Sequence, residues 1–554
     1  MPVISIRDLQ GDSLLSPYAT QTVTVSGIVT AVVRRGFFLQ TPEKEWDGKG
    51  SDGVFVYSPD WLATQWSEIE VTGECVDYVR EENAKPVTQV HMESSRVKSE
   101  RGREVHRVEF TQEFLPRSSA KLAVLLNSLE GMLITIAAGQ TFLAPSNRYG
   151  DYVLALDANS IDNSGVRTID QGIITEAVDP LRWFPGFRIT NYNHAPRLNV
   201  GSKLNTRITA PLNYRVGSYQ LALTEPFKHE DHFVTLTKSS LTPSDHALTI
   251  MTLNCFNLDP HVESEALVMN PSQDIDDDWG EGRFHTLSQA VVLQANLPDL
   301  VALQEIQDND GAEVTDVVDA SKTYGLLIDT IEELSGVRYD WVDVEPEVGA
   351  DGGQPGGNIR NGFLYNPSRV ELVADSVRVI GKEMDCFQGS RKPLVCEFIE
   401  KASGNKLAVI NVHLASKRHQ SSIFSLHEPG VDGKLAVRIE QAIAVREEAR
   451  KLYDSDIEYY VTGDFNDTEN SETMDHLVGL NSVNLVDSLP LEERYDYNHR
   501  GKLQVLMHGV VSKAMSVKAQ YEIIHGNELI GVQPGEESDK PSDHAYVIAK
   551  LAMR

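Results

Sequence analysis

With 554 residues, 41% of them hydrophobic and 24% charged, the chain is long enough for several packed cores, and two to four domains are expected. Its 81 Asp and Glu outnumber 50 Lys and Arg, and the formal charge of −31 argues against a protein that grips nucleic acid through a broad basic surface. No run is long and apolar enough to cross a bilayer as a helix, and the four cysteines show neither a disulfide scaffold nor the CxxC spacing of a zinc site.

The opening residues, MPVISIRDLQGDSLL, lack the basic start and apolar stretch of an export signal. The chain as written is therefore expected in the cytoplasm, with a secreted mature form as the alternative. The runs TVTVSGIVTAVV, GFFLQT, GVFVYS and EIEVTGECVDY follow, separated by loops rich in Lys, Asp and Gly, and suggest a small antiparallel barrel or sandwich. A weaker echo lies near residues 202–227, where SKLNTRITAPLNYRVGSYQLALTEPF repeats the order strand, RxG turn, aromatic strand. Residues 1–105 and 106–240 thus read as two related, mainly β domains. The stretch SSLTPSDHA (239–247) reads as a linker, and its Asp245–His246 pair as a coincidence.

From residue 248 onward, strands alternate with helices. Residues 284–296 carry apolar side chains at helical spacing and lead into LVALQEI, and residues 436–453 form an amphipathic helix feeding IEYYVTGDF. With NGFLYN, KPLVCEFI, KLAVINVHL, QVLMHGVVS and HAYVIAKL, about eight strands imply a two-sheet α/β sandwich over 245–554, polar strand ends converging on one rim. Cys255 reads as a packed thiol inside a core strand, while Cys386 and Cys396 flank a loop and leave a bridge open.

Five apolar, β-rich segments each end near a distinctive polar group: LTIMTLNCFNLD (248–259), LVALQEI (300–306), INVHLASK (410–417), YYVTGDFND (459–467) and PSDHAYVIAKL (541–551). Together they supply Asn254, Glu305, His413, Asp464, Asn466, Asp543 and His544. Hydrolysis of a phosphodiester needs a cation on phosphate oxygens, a base for water and donors for the developing charge. Glu305 is a hard-metal ligand, supported by the Asn254 amide and completed by Asp543. Asp464 follows Gly463 in GDFND and serves the water; Asn466, His413 and His544 serve the phosphate. Any one of these residues alone is more often a solvated strand end or a structural histidine. All five segments in one order make coincidence the weaker reading.

The set resembles the endonuclease/exonuclease/phosphatase superfamily, the fold of pancreatic deoxyribonuclease and the abasic-site endonucleases. Within it the match is closer to one branch, bacterial multidomain nucleases, often extracellular, that carry an oligonucleotide-binding-type (OB-fold) barrel ahead of the catalytic domain. The resemblance is carried by DDDWGEGRF (276–284), PDLVALQEIQDNDG (298–311), VVDAS (317–321), DGGQPGGNIRNGFLYNP (351–367), SRKPL (390–394), GDFND and SDH. It covers about 300 residues well from 248 onward, and the first 240 loosely. It implies Mg²⁺ or Mn²⁺ dependence, with Ca²⁺ as an alternative supporting ion, and DNA as substrate, with RNA as a second candidate. It also points to Arg360 in NIRNGF and Arg391 in SRKPL as phosphate contacts. The N-terminal barrels would guide single strands through stacking and basic groups such as Arg34 and Arg35, or serve only as spacers. Oligomeric state is left open, and no membrane partner is implied.

One position departs from that pattern. Relatives read something like VLDHILVS where this chain reads VLMHGVVS, so the acid that orients the last histidine is Met507 here. A thioether cannot replace a carboxylate as an acceptor. His508 or a carboxylate from elsewhere substitutes, or the centre is impaired and the chain is a nucleic-acid-binding scaffold. A milder departure is the VHLASK segment. A phosphodiesterase of the same fold acting on a lipid head group is the other enzymatic alternative.

Overall fold

A computed structural model describes residues 2–61, 63–80, 84–156, 165–175, 181–536 and 538–553. Near the N-terminus, Thr22–Val33 pairs with both Gly36–Gln40 and Glu68–Tyr78. Gly36–Gln40 pairs with Gly53–Tyr57, which runs parallel to Val87–Ser99, and Val87–Ser99 returns to Glu68–Tyr78. Following the hydrogen bonds therefore leads from Thr22–Val33 back to itself, around a core that includes Val25, Phe37, Leu39, Val54, Ile69 and Val71. Alternation of buried and half-buried residues along Glu68–Tyr78 is the pattern expected of a strand with one face on such a core.

Residues 108–230 contribute a nine-stranded sheet. At its centre Gly186–Ile189, Ser218–Leu223 and Ile208–Arg215 lie side by side, and Phe142, Tyr152, Phe187 and Phe227 pack as a cluster of rings beneath. The hairpin Ile208–Arg215/Ser218–Leu223 turns at Val216–Gly217, and the hairpin Thr22–Val33/Gly36–Gln40 turns at Arg34–Arg35. The two hairpins meet through Ala31, Phe38 and Ala222. The strand Ile173–Ile174 also joins Lys502–Gln504 in a small sheet, tying this region to the C-terminal half.

That C-terminal half is a sandwich of two sheets. One orders Asp340–Asp343, Arg360–Tyr365, Leu300–Ile306, Ala247–Leu258, Tyr546–Ala552 and Gln520–Ile524. The other orders Val370–Leu372, Leu394–Glu400, Lys406–His413, Glu458–Asp464, Met507–Ser512 and Ser482–Asn484. Ile250, Ala302, Phe363 and Val547 from the first meet Phe398, Val409, Tyr460 and Met507 from the second in the interior. The alternate residues face outward, where Arg283–Gln289 and Ser321–Ser335 cover the first sheet, and Leu435–Asp454 and Glu472–Val478 the second. Both helical layers are thus buried on one stripe, as amphipathic spacing demands. Cys396 lies in the interior between the sheets, whereas Cys386, in the short helical turn Asp385–Phe387, packs outside the second of them, so no bridge joins them, and all four cysteines are free.

Candidate active site

The inner faces of the strands change from apolar to polar over two residues at a time. On Ala247–Leu258 the inward series is Ile250, Thr252, Asn254; on Lys406–His413 it is Val409, Asn411, His413; on Glu458–Asp464 it is Tyr460, Thr462, Asp464. The middle members lock the sheets together. Thr252 and Thr462 hydroxyls lie 2.6 Å apart, and the Asn411 amide donates to Leu303 O at 2.9 Å and Gly362 O at 3.0 Å. The last members emerge at one rim. The parallel register placing His413 beside Asp464, and the antiparallel one placing Asp464 beside Met507, fixes their order.

Glu305 reaches this rim by a different device. Strict alternation from Ala302 would turn it outward, but its φ of 58° is left-handed, and the ladder to Arg360–Tyr365 slips between Leu303 and Ile306. A non-glycine residue there costs about 1 kcal/mol, a strain concentrated at functional sites. Asn466, with φ 52°, is the second such residue, and an asparagine tolerates it more readily.

The groups converge closely. His413 Nε2 lies 3.6 Å from both Glu305 Oε1 and Asp464 Oδ2, and the Asn254 amide donates to Glu305 at 3.3 Å and Asp464 at 3.5 Å. Asn466 donates its backbone N–H to Asp464 Oδ1 at 2.8 Å and its amide to Leu414 O at 3.1 Å. His544 Nε2 is 3.8 Å from Asp464 and 3.9 Å from Asp543. Arg391 is buried, donates to Leu414 O at 3.1 Å, and keeps its Nε without a partner. Arg360 stands apart from the set. Its guanidinium donates to Val318 O, to Asn358 O at 3.1 Å and to Asp343 at 3.4 Å, so its donors tie loops together beneath the sheet edge.

Asp496 joins the site without any mark in the sequence. It is fully buried, accepts from His544 Nδ1 at 3.1 Å through one oxygen, and from the backbone N–H groups of Leu506 and Met507 at 2.9 Å each through the other. The Tyr497 ring, 4.8 Å away, lies over His544. Asp496 therefore makes the hydrogen bond that Met507 cannot. Met507 lends its backbone to the same carboxylate while its side chain fills the interior. His508 plays no such part: it faces the other way, bonding Asn484 and Asp467 O. The signal, an Asp between two tyrosines in ERYDYNHRG, sits in a polar stretch with no strand periodicity to mark it.

Supporting contacts hold the loops that carry these residues. Asp467 of GDFND pairs with Lys417 at 2.9 Å and Arg438 at 3.1 Å; burial alone would raise its pKa, but these cations hold it below the usual value. In DDDWGEGRF, buried Asp278 pairs with Arg283, which donates to Cys255 O and Phe256 O just beyond Asn254. Asp245 of the linker forms an exposed pair with Arg369, well away from the rim groups it resembles in sequence.

The electrostatics separate the roles. Burial raises Glu305 to about 7, with Asp543 and Asp464 adding to it. Burial also raises Asp464, partly offset by His544. Burial keeps the His413 ring well below its ordinary value, and Arg391 and His544 push the same way. For His544 burial is outweighed: Asp543, the Asp496 hydrogen bond and Asp464 lift it to about 10. At neutral pH the rim thus holds one charged and one neutral imidazole. Glu305, His413 and Asp464 offer ligand atoms within 4.8 Å of one another. Carboxylates crowded in this way, with Glu305 inclined to keep its proton, suit a hard divalent cation.

The C-terminal half is thus an α/β sandwich with an acidic, histidine-bearing centre at one rim. Residues 89–231 match the model of a family described as a domain of unknown function (DUF8508). No curated protein matches the chain. Among solved structures, a humanized D. rerio TDP2 is 15% identical, covering 55% of this chain and 99% of its own at a TM-score of 0.35. An endonuclease/exonuclease/phosphatase from Bacteroides vulgatus is 14% identical over 56% of this chain and 99% of its own, also at 0.35. The human Nocturnin catalytic domain is 15% identical over 56% and 96%, again at 0.35. Likeness at this level assigns no activity.

Proposed function

We propose that the chain is a divalent-metal-dependent hydrolase of nucleic-acid phosphodiesters, with DNA as the first substrate and RNA as the second candidate. The observation that carries this is the convergence of Glu305, His413 and buried Asp464 at one rim, with His544 lying 3.8 Å from Asp464 and 3.9 Å from Asp543. Glu305 and Asp543 would hold Mg²⁺ or Mn²⁺, and Asn254 steadies Glu305 through the amide it already donates. A bound cation would neutralise charge on the phosphate and the leaving oxygen.

The residues divide the remaining work. Asp464, fixed by the Asn466 N–H, takes the proton of the attacking water as its oxygen bonds to phosphorus. His544, charged and held by Asp496, donates to a phosphoryl oxygen as the leaving oxygen departs in line. Neutral His413, the Asn466 amide and the spare Nε of Arg391 supply further donors to the equatorial oxygens. On this reading the bond from phosphorus to the leaving alkoxide breaks as that from water forms.

Supercoiled plasmid, linear duplex and single-stranded DNA incubated in Mg²⁺, Mn²⁺ or EDTA test the proposal. Cleavage should require the metal and fall about 10³-fold in Asp464→Ala, the middle of the range for loss of a general base. Cleavage that persists in EDTA, or is unchanged in Asp464→Ala, would contradict it. Release of phosphate from a lipid head group with no cleavage of DNA would move the activity to a non-nucleic substrate.

A further inference from the structure

Between the N-terminal strands and the second sheet lies a cleft of about 830 Å³, well removed from the catalytic rim in sequence. Six cations line it: Arg34, Arg35, Arg80, Lys85, Arg188 and Arg215. No Asp or Glu is among the described lining residues, although the whole chain carries 81 acids against 50 Lys and Arg. Asp151 and Glu130 stand behind the lining, 3.7 Å from Arg188 and 2.5 Å from Lys85. Such a concentration of one sign, against the net charge of the molecule, marks an anion-binding surface.

The cations crowd one another. Burial lowers Arg215 below its ordinary value, and Arg188 and Arg80 lower it further. Asp151 offsets part of this crowding, through Arg188 and Arg215, and arginines held this close gain further from a bound polyanion. Arg34 and Arg35 sit exposed at one hairpin turn and Arg215 at the foot of the other, so the two RxG turns face each other across the opening.

Rings are interleaved with these charges. The guanidinium of Arg35 lies 5.8 Å over Tyr57, whose ring stands 4.9 Å from His91. Tyr78 and Tyr192 remain 44% and 39% exposed, with Arg188 bonded to the Tyr192 hydroxyl at 3.1 Å. Exposed aromatic faces beside arginines offer stacking for unpaired bases together with contacts for the backbone, which a base-paired duplex cannot exploit.

The cleft also connects to the catalytic half. Arg500 donates to Val216 O at 3.3 Å and Ser422 to Gly217 O, both on the turn that borders the cleft. On its other side Arg500 stands with Lys502 and Lys417 around His499, and Lys417 follows closely after His413.

We propose that this cleft binds single-stranded nucleic acid and delivers it to the catalytic centre. The inference deepens the nuclease reading, and rests on it for the delivery but not for the binding. The test is fluorescence anisotropy of labelled oligo(dT) with the full chain in EDTA, alongside hydrolysis of bis(p-nitrophenyl) phosphate in Mn²⁺. Arg34→Glu with Arg35→Glu, both at an exposed turn, should weaken oligo(dT) binding at least 10-fold, and Tyr78→Ala about 10-fold, as expected for one lost base stack. Both should leave the melting temperature and hydrolysis of the small ester unchanged. Binding that survives both variants, or that favours duplex over single strand, overturns the cleft. Normal oligo(dT) binding with no ester or DNA hydrolysis would sink the nuclease reading and leave the cleft standing.

Discussion

Asp496→Asn is expected to cut DNA cleavage by about 10³-fold while leaving the fold intact, because an amide in that position presents a donor to His544 where an acceptor is needed. In the native arrangement Asp496 takes the Nδ1 proton of His544, so Nε2 is left to face Asp464, Asp543 and the phosphate. The amide turns this relation round and favours a neutral ring. Asparagine keeps an oxygen for the Leu506 and Met507 N–H groups, which limits the structural loss. The pH profile provides the sign. With Asp496 present, His544 stays charged up to about 10; without the carboxylate its pKa falls, so the alkaline limb of activity should move to lower pH. Cleavage rates from pH 6 to 10, with melting temperatures alongside, check this. An unchanged profile would mean that His544 is held by something other than Asp496.

Met507→Asp, which the departure from the resembled sequence pattern suggests as a repair, is expected to do harm. Met507 is fully buried, lies beside Asp464 in the ladder, and its backbone already serves Asp496. A carboxylate there would enter an apolar interior next to two other acids, at a cost of about 3 kcal/mol or more if ionised. The variant should therefore melt earlier and cleave no faster than the native chain. Faster cleavage at unchanged stability would show that position 507, and not Asp496, governs His544. The two results together decide whether the acid has moved along the chain or has been lost.

Much of the C-terminal half is legible because its strands are long and the candidate site residues stand at their ends. Asn254, His413 and Asp464 follow from the two-residue period alone, since each continues an inward series that begins with an apolar residue. Glu305 was found through its neighbours, although its placement depends on a left-handed φ that no periodicity reports. Arg360 and Arg391 look alike in sequence, yet only Arg391 is directed at the rim; which carbonyls capture a guanidinium depends on loops such as 317–320 and 343–358. Asp496 stayed hidden because its partner is 48 residues away and its own segment is polar.

The N-terminal half was read less completely for a related reason. Four of its strands are marked by apolar, β-rich runs, but the second part of Val87–Ser99 is exposed and polar and carries no such mark. It is the strand that joins Gly53–Tyr57 to Glu68–Tyr78. Non-local pairings of this kind are set by packing, not by the local pattern. The repeat suggested by the two RxG segments corresponds to two hairpins that pack against each other, and their turns border the basic cleft.

The measurement that tests the account most directly is a Mn²⁺ titration of the native chain and of Glu305→Gln, followed by calorimetry and by the paramagnetic signal of free Mn²⁺. The account predicts a site in the native chain whose affinity rises between pH 6 and 8, as the Glu305 proton is displaced from a group titrating at about 7. In Glu305→Gln that site should be lost together with cleavage, while the melting temperature in EDTA stays the same or rises. Equal Mn²⁺ binding by both proteins, or cleavage by the variant at the native rate, would contradict a metal centre at Glu305.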